Sequence, residues 1–151
     1  MPVYTRSTLV PASAEDLYRF HENPHNLRRI SPPGLTILEI RADETAHPGA
    51  EFTLVVRQGP FTLHWTGRWE TATSPRLLVD AGVKCPFAFW RHHHIFEPHA
   101  DGARMTDRVE FSLPWHLGGP VGDLFSRWLV FPRMFAARHA ATRAWFASRG
   151  S

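Results

Sequence analysis

Between Leu35 and Leu113 the chain passes through six consecutive strand-like segments whose connections are too short to hold a helix. The segments are Leu35 to Arg41, Glu51 to Gln58, Phe61 to Thr73, Leu77 to Val83, Phe87 to Glu97 and Arg104 to Leu113. Turn signals part most of them: His47-Pro48-Gly49, Gly59-Pro60, Ser74-Pro75, Cys85-Pro86 and Asp101-Gly102. A parallel neighbour needs a crossover of about a dozen residues or more, so these short connections favour antiparallel neighbours, in the order of a meander. Alternation assigns the faces. Phe52, Leu54 and Val56, then Phe61, Leu63, Trp65 and Trp69, then Met105, Val109, Phe111 and Leu113 point one way, while Arg57, His64, Arg68, Arg104, Arg108 and Glu110 point the other. One side of the sheet is therefore apolar and the other is wet.

The flanks supply the cover for the apolar side. Val3 to Val10 is β-leaning, and Ser13 with Asp16 three residues on is a helix-capping pair before Leu17, Tyr18 and Phe20. Asn23-Pro24 opens a second, short helix carrying Leu27 and Ile30, which Ser31-Pro32-Pro33-Gly34 ends. After Leu117-Gly118-Gly119-Pro120, the residues Leu124, Phe125, Trp128, Phe131, Phe135, Thr142 and Phe146 fall on one helical stripe, with Asp123, Arg127, Arg133 and Arg143 opposite. Pro132 should kink or break that helix near Leu129 to Phe131. Residues 1–151 thus read as one α+β domain, a curved antiparallel sheet with a long C-terminal helix across its concave face and a cleft between them.

Composition narrows the function. A single cysteine, Cys85, allows neither an intrachain disulfide nor a cysteine-based zinc site, and its position beside Pro86 marks it as packing; a reducing cytoplasm is expected. No stretch approaches the roughly 18 apolar residues of a spanning helix, so integral membrane association is not expected. The net charge is +3, but the arginines are scattered and Lys84 is the sole lysine, which argues against a nucleic-acid partner. Aromatic residues make up 13% of the chain, and their density on the concave face suits a small hydrophobic, ring-containing molecule.

On the strand after Pro86, Trp90, His92, His94 and Phe96 share one face, and Arg91, His93 and Glu97 share the other. A two-residue turn at Asp101-Gly102 sets Phe96 opposite Asp107; a shift of the pairing sum by two sets His94 there instead. Either register puts Asp107 on the face of His92 and His94, among Val109 and Phe111. A buried carboxylate needs partners. Asp107 and His94 either satisfy one another in a cross-strand network, or His94 moves a proton with Asp107 orienting it. His92, His94 and Asp107 also have the composition of a facial metal triad, but His93 points away and no metal ligand is assigned. Arg138, at the border of the helix stripe, and His139, inside it, are candidate anchors for an anion or hydroxyl.

Four stretches carry a resemblance: Leu27 to Pro33, Pro86 to Phe96, Asp107 to Pro114, and Met134 to Arg138. They resemble the START-like (SRPBCC) superfamily, in particular a bacterial subgroup described as ligand-binding or polyketide cyclase/dehydrase-like. The resemblance spans nearly the whole chain and implies a helix-grip fold, with the concave face as the binding cavity. Relatives often carry glutamine and glycine where this chain has Gly82 and Cys85, so a polar pocket donor is missing. The resulting expectation is a binder of a small hydrophobic molecule, without cofactor, through Trp65, Trp69, Trp90, His92, His94, Phe96, Asp107, Val109, Phe111, Trp128, Phe135 and Arg138. The alternative is a cyclase or dehydratase using His94 and Asp107 as the catalytic pair. Exposed aromatics near Trp115 are a candidate dimer patch.

Overall fold

The computed structural model describes residues 1–149. Its sheet has seven antiparallel strands: β1 (Val3–Val10), β2 (Leu35–Arg41), β3 (Glu51–Gln58), β4 (Phe61–Thr73), β5 (Leu77–Lys84), β6 (Phe89–His99) and β7 (Gly102–Ser112). The order across the sheet is β1-β7-β6-β5-β4-β3-β2. The meander is therefore intact from β2 to β7, and β1 returns to pair with β7, from Val3 opposite Glu110 to Val10 opposite Ala103. Helix α1 (Ala14–His21) starts at Ser13, whose hydroxyl accepts from the Asp16 amide as its capping position requires. The second short helix is a 3-10 segment, Pro24–Arg29, capped by Asn23.

The β6–β7 hairpin takes the second of the two registers: His94 lies opposite Asp107 and Phe96 opposite Met105. The turn is Ala100-Asp101, one residue earlier than the Asp101-Gly102 signal, because Gly102 already pairs with His99. A Cβ on Gly102 would lie 2.2 Å from the Val10 carbonyl oxygen. That glycine admits the backbone of β1 at its crossing and is not available to the turn. A second close approach sits in β4, where the Phe52 ring covers Gly67 and would meet a Cβ at 2.3 Å.

The C-terminal stretch departs most from its reading. It is α2 (Gly119–Phe125), a π-helical turn (Ser126–Val130) and α3 (Phe131–Ala147). The buried positions are Gly119, Asp123, Ser126, Phe131, Phe135, His139 and Thr142, with a five-residue step at the π turn where α periodicity gives three or four. Pro132 has no amide hydrogen, and its ring would crowd the carbonyl four residues back; the extra residue of the π turn relieves this without breaking the helix. Upstream of the turn the expected stripe is rotated off the sheet, so Leu124, Phe125 and Trp128 are exposed. Phe61, also placed on the apolar side, is exposed at the end of its hairpin.

Two apolar clusters fill the concave face. One gathers Val10, Leu17, Tyr18, Phe52, Trp69, Leu78, Phe96 and Met105; the other gathers Trp90, Val109, Phe111, Phe131 and Phe135. Successive inward residues on each element cross from one cluster to the other. On β6 the order is Trp90, His92, His94, Phe96; on β7 it is Phe111, Val109, Asp107, Met105; on α3 it is Phe135, His139, Thr142, Phe146. A polar layer lies between two apolar ones.

Candidate functional site

Asp107 is the centre of that layer. Its Oδ1 accepts from His92 Nε2 at 2.7 Å and faces His94 Nδ1 at 3.4 Å, and its Oδ2 accepts from His139 Nε2 at 2.5 Å. His94 also donates through Nε2 to Asp80 Oδ2 at 2.8 Å. Cross-strand pairing builds this directly, with Asp80 opposite His92 and His94 opposite Asp107. The His92 and His94 rings stack with centroids 3.8 Å apart.

The protonation pattern follows from burial and these partners. Burial opposes a charged His94, but its bonds to Asp107 and Asp80 outweigh burial and raise its pKa to about 9. The three imidazoles hold the Asp107 carboxyl well below the usual carboxylate range despite its burial. Burial and the adjacent His94 charge push His92 down. His94 is therefore the imidazolium of the layer, fixed between two carboxylates.

Beside the layer is a cavity of about 30 Å3, lined by His21, Leu27, Ile30, His94, Met105, Asp107, Arg138 and Thr142. Its volume is that of one water molecule, about a tenth of an ordinary small-molecule pocket. The expected open cleft is closed by aromatic packing: Trp65 meets Trp90 edge-on at 5.0 Å, and Phe131 sits 4.6 Å from Phe111. Two lining residues carry unused hydrogen-bonding capacity. Arg138 Nε has no partner among the described residues, and burial lowers its guanidinium pKa. His21, pushed down to about 4 by burial and by His94, is neutral; its Nδ1–H donates to the Leu17 carbonyl at 2.8 Å, which leaves Nε2 as an acceptor.

The structure brings His92, His94, Asp107 and Arg138 together. Trp69, Phe96, Val109, Phe111, Trp90 and Phe135 form the apolar layers on either side of the polar one, with Trp65 partly buried against them, and none of these lines the cavity. Trp128 is not part of the site: at 64% exposure it points to solvent because the π turn rotates its helix. Asp80 and His21 were not singled out from sequence, and Thr142 only as a member of the helical stripe. Asp80 was detectable, since it shares inward parity with the fully buried Leu78. Gly82 and Cys85 form a matched pair, because Cys85 Sγ lies 2.6 Å from where a Cβ on residue 82 would be.

Metal ligation meets an obstacle. Donor atoms of Asp80, His92 and His94 lie within 4.8 Å of one another, so the set is geometrically close. An ion there would have to displace the proton of His94 and take donors already committed to Asp80 and Asp107.

No family model and no curated protein sequence matches the chain. Solved structures do. A protein of Nitrosomonas europaea, NE0264, is similar with a TM-score of 0.79 at 14% identity, covering 98% of this chain and 96% of that one. The di-domain ARO/CYC protein StfQ of the steffimycin biosynthetic pathway has a TM-score of 0.80 at 11% identity, covering 98% of this chain and 52% of its own. A norcoclaurine synthase point mutant from Thalictrum has a TM-score of 0.72 at 13% identity, covering 99% and 96%. The chain shares its overall fold with these neighbours over nearly its whole length: a seven-stranded antiparallel sheet with short helices after β1 and a long C-terminal helix, the helix-grip arrangement.

Proposed function

We propose that the protein binds a small, mostly apolar, ring-containing molecule between the sheet and α3, with an oxygen acceptor of the ligand directed at Arg138. The observation that carries this reading is the unpartnered, desolvated Nε of Arg138 on a cavity wall. A guanidinium N–H shielded from water costs free energy unless something bonds to it, and α3 could have packed here with an apolar residue. The apolar part of the lining, Leu27, Ile30 and Met105, would contribute about 25 cal/mol per Å2 of apolar ligand surface buried, and the aromatic clusters lie behind it on either side of the polar layer. His21 Nε2 supplies an acceptor for a ligand hydroxyl, and His94 supplies positive charge.

The alternative, a cyclase- or dehydratase-like reaction with His94 as proton mover, has less support. General acid–base work favours a pKa near the operating pH and a ring nitrogen free to reach substrate. His94 sits near pKa 9, with Nε2 bonded to Asp80 and Nδ1 facing Asp107. Such a proton is held in place.

The test is native mass spectrometry of freshly purified protein for a co-purifying small molecule, followed by titration with 1-naphthoic acid and 1-naphthol, read by tryptophan fluorescence. The acid should bind the wild type and lose at least tenfold in affinity in Arg138→Met. Equal affinity in both proteins, or no binding of either probe and no co-purifying molecule, would overturn the reading.

A further inference from the structure

The opening of the C-terminal helical stretch is amphipathic in the inverse sense. At about 100° per residue, Val121, Leu124, Phe125 and Trp128 fall in an arc of about 100° opposite Asp123 and Ser126. The polar pair faces inward, at 9% and 8% exposure, while the four apolar side chains are exposed at 57% to 78%. Trp115, at 85%, and Leu129, at 48%, are exposed as well. The π turn at Ser126–Val130 creates this arrangement. A continuous α helix phased on Phe131 would carry Leu124 and Trp128 toward the sheet.

The exposed charge of this segment has one sign. From Leu113 to the end of the chain there are five arginines and a single acid, Asp123. That acid is turned inward, where its Oδ1 accepts from the Leu113 amide at 2.6 Å. Arg127 and Arg133 are exposed beside the apolar face, and the Arg127 guanidinium lies 5.5 Å from the centre of the Trp128 ring.

We propose that this face docks the protein on an anionic bilayer surface, with Phe125 and Trp128 at headgroup depth and Arg127 and Arg133 against lipid phosphates. Exposed tryptophan with flanking cations is the pattern that partitions into an interface while remaining outside the hydrocarbon core. No helix of the described residues is long and apolar enough to cross a membrane, so the contact is peripheral. A second copy is a poorer occupant: a two-fold dimer through this face would bring its own arginines against each other with no exposed acid of this segment between them. The face is separate from the Asp107 cavity, so the inference does not depend on the ligand reading.

Co-sedimentation with vesicles tests it, comparing pure phosphatidylcholine with phosphatidylcholine containing phosphatidylglycerol. Binding should require the anionic lipid and weaken in high salt. Phe125→Glu with Trp128→Glu should reduce it at least tenfold, and Arg127→Ala with Arg133→Ala several-fold. Phe61→Glu, at an exposed position on the β3–β4 hairpin, should leave it unchanged, and circular dichroism should show all variants folded. Three results would overturn the proposal: no vesicle binding, equal binding to neutral vesicles, or a dimer in sedimentation equilibrium that the double glutamate variant dissociates.

Discussion

Raising the pH from 6.5 to 9 should destabilise the fold through one residue. His94 has a folded pKa of about 9 against 6.5 for an unperturbed imidazole. A raised pKa stabilises fully below 6.5, where folded and unfolded chains both carry the proton; the gain then declines and is gone above 9. A gap of that size corresponds to about 3 kcal/mol, lost progressively across the window. The groups around His94 offset only part of it: His21 and His92 have lowered pKa values and are neutral in the folded state, so deprotonation of the unfolded chain above pH 6.5 returns about 0.4 kcal/mol for each, and Asp107 is ionised throughout. On the acid side the sign reverses. Between pH 6.5 and 4 the unfolded chain protonates His21 before the folded one does, so stability falls as pH drops, and below that range protonation of Asp107 extends the fall. Stability should therefore peak near pH 6.5. The assay is urea unfolding followed by tryptophan fluorescence. With a slope of about 2 kcal/mol per molar, the midpoint should fall by about 1 M between pH 6.5 and 9. His94→Gln should flatten that limb. A wild-type midpoint that moves by less than about 0.5 M, or a His94→Gln protein with the same slope, would refute the assignment of His94 as the buried cation.

Two further substitutions probe the same architecture. Asp107→Asn keeps the shape but leaves three imidazole donors facing a neutral amide, and should cost about 3–5 kcal/mol at pH 7 in urea unfolding; a loss under about 1 kcal/mol would show that the layer is not held by this carboxylate. Gly67→Ala places a Cβ within 2.3 Å of the Phe52 ring and should destabilise by about 1–3 kcal/mol, with partial recovery in the double variant carrying Phe52→Leu. Absence of recovery would mean that the glycine answers to backbone conformation and not to that ring.

Much of the fold could be read from residue order because antiparallel strands with short turns leave little topological choice. The inward parity of β6 and β7 was legible, so Asp107, His92 and His94 could be placed on one face before any coordinate was known. What could not be read was phase. Gly102 reads as a turn residue, yet its role is set by the Val10 carbonyl, ninety-two positions earlier in the chain. Trp128 reads as core because α periodicity was carried through Pro132, whereas the helix absorbs the proline with an inserted residue and changes face. The parity of Asp80 with Leu78 is legible, but its partner is not, since a lone carboxylate within Leu-Leu-Val-Asp-Ala-Gly shows nothing of the histidine it meets across the sheet. Local pattern fixes which elements form; contacts between distant segments fix where a bulge or a turn is put.

A cavity of about 30 Å3 can admit a ring-containing ligand only if one wall gives way. The sheet side is a continuous hydrogen-bonded ladder, and α3 is anchored by Phe131, Phe135 and the His139 bond to Asp107. The remaining wall holds His21, at the end of α1, where the Nδ1 bond to the Leu17 carbonyl fixes the ring, and Leu27 and Ile30, from the 3-10 segment Pro24–Arg29 and its C-cap. That wall is tied to α3 by the Arg29 guanidinium, 4.5 Å from the centre of the Trp145 ring, and to β2 by Arg28 donating to the Ile37 carbonyl at 2.8 Å. Removing the first tie should favour the open form without touching the lining. A cation–π contact at a half-exposed site is worth about 0.5–1 kcal/mol, so Arg29→Ala should tighten apparent binding of 1-naphthoic acid by about two- to fivefold, mostly through a faster on-rate. Stopped-flow quenching of tryptophan fluorescence measures this directly. An unchanged or slower on-rate in Arg29→Ala, with ligand still bound, would place the entrance elsewhere and leave the 3-10 segment as fixed wall.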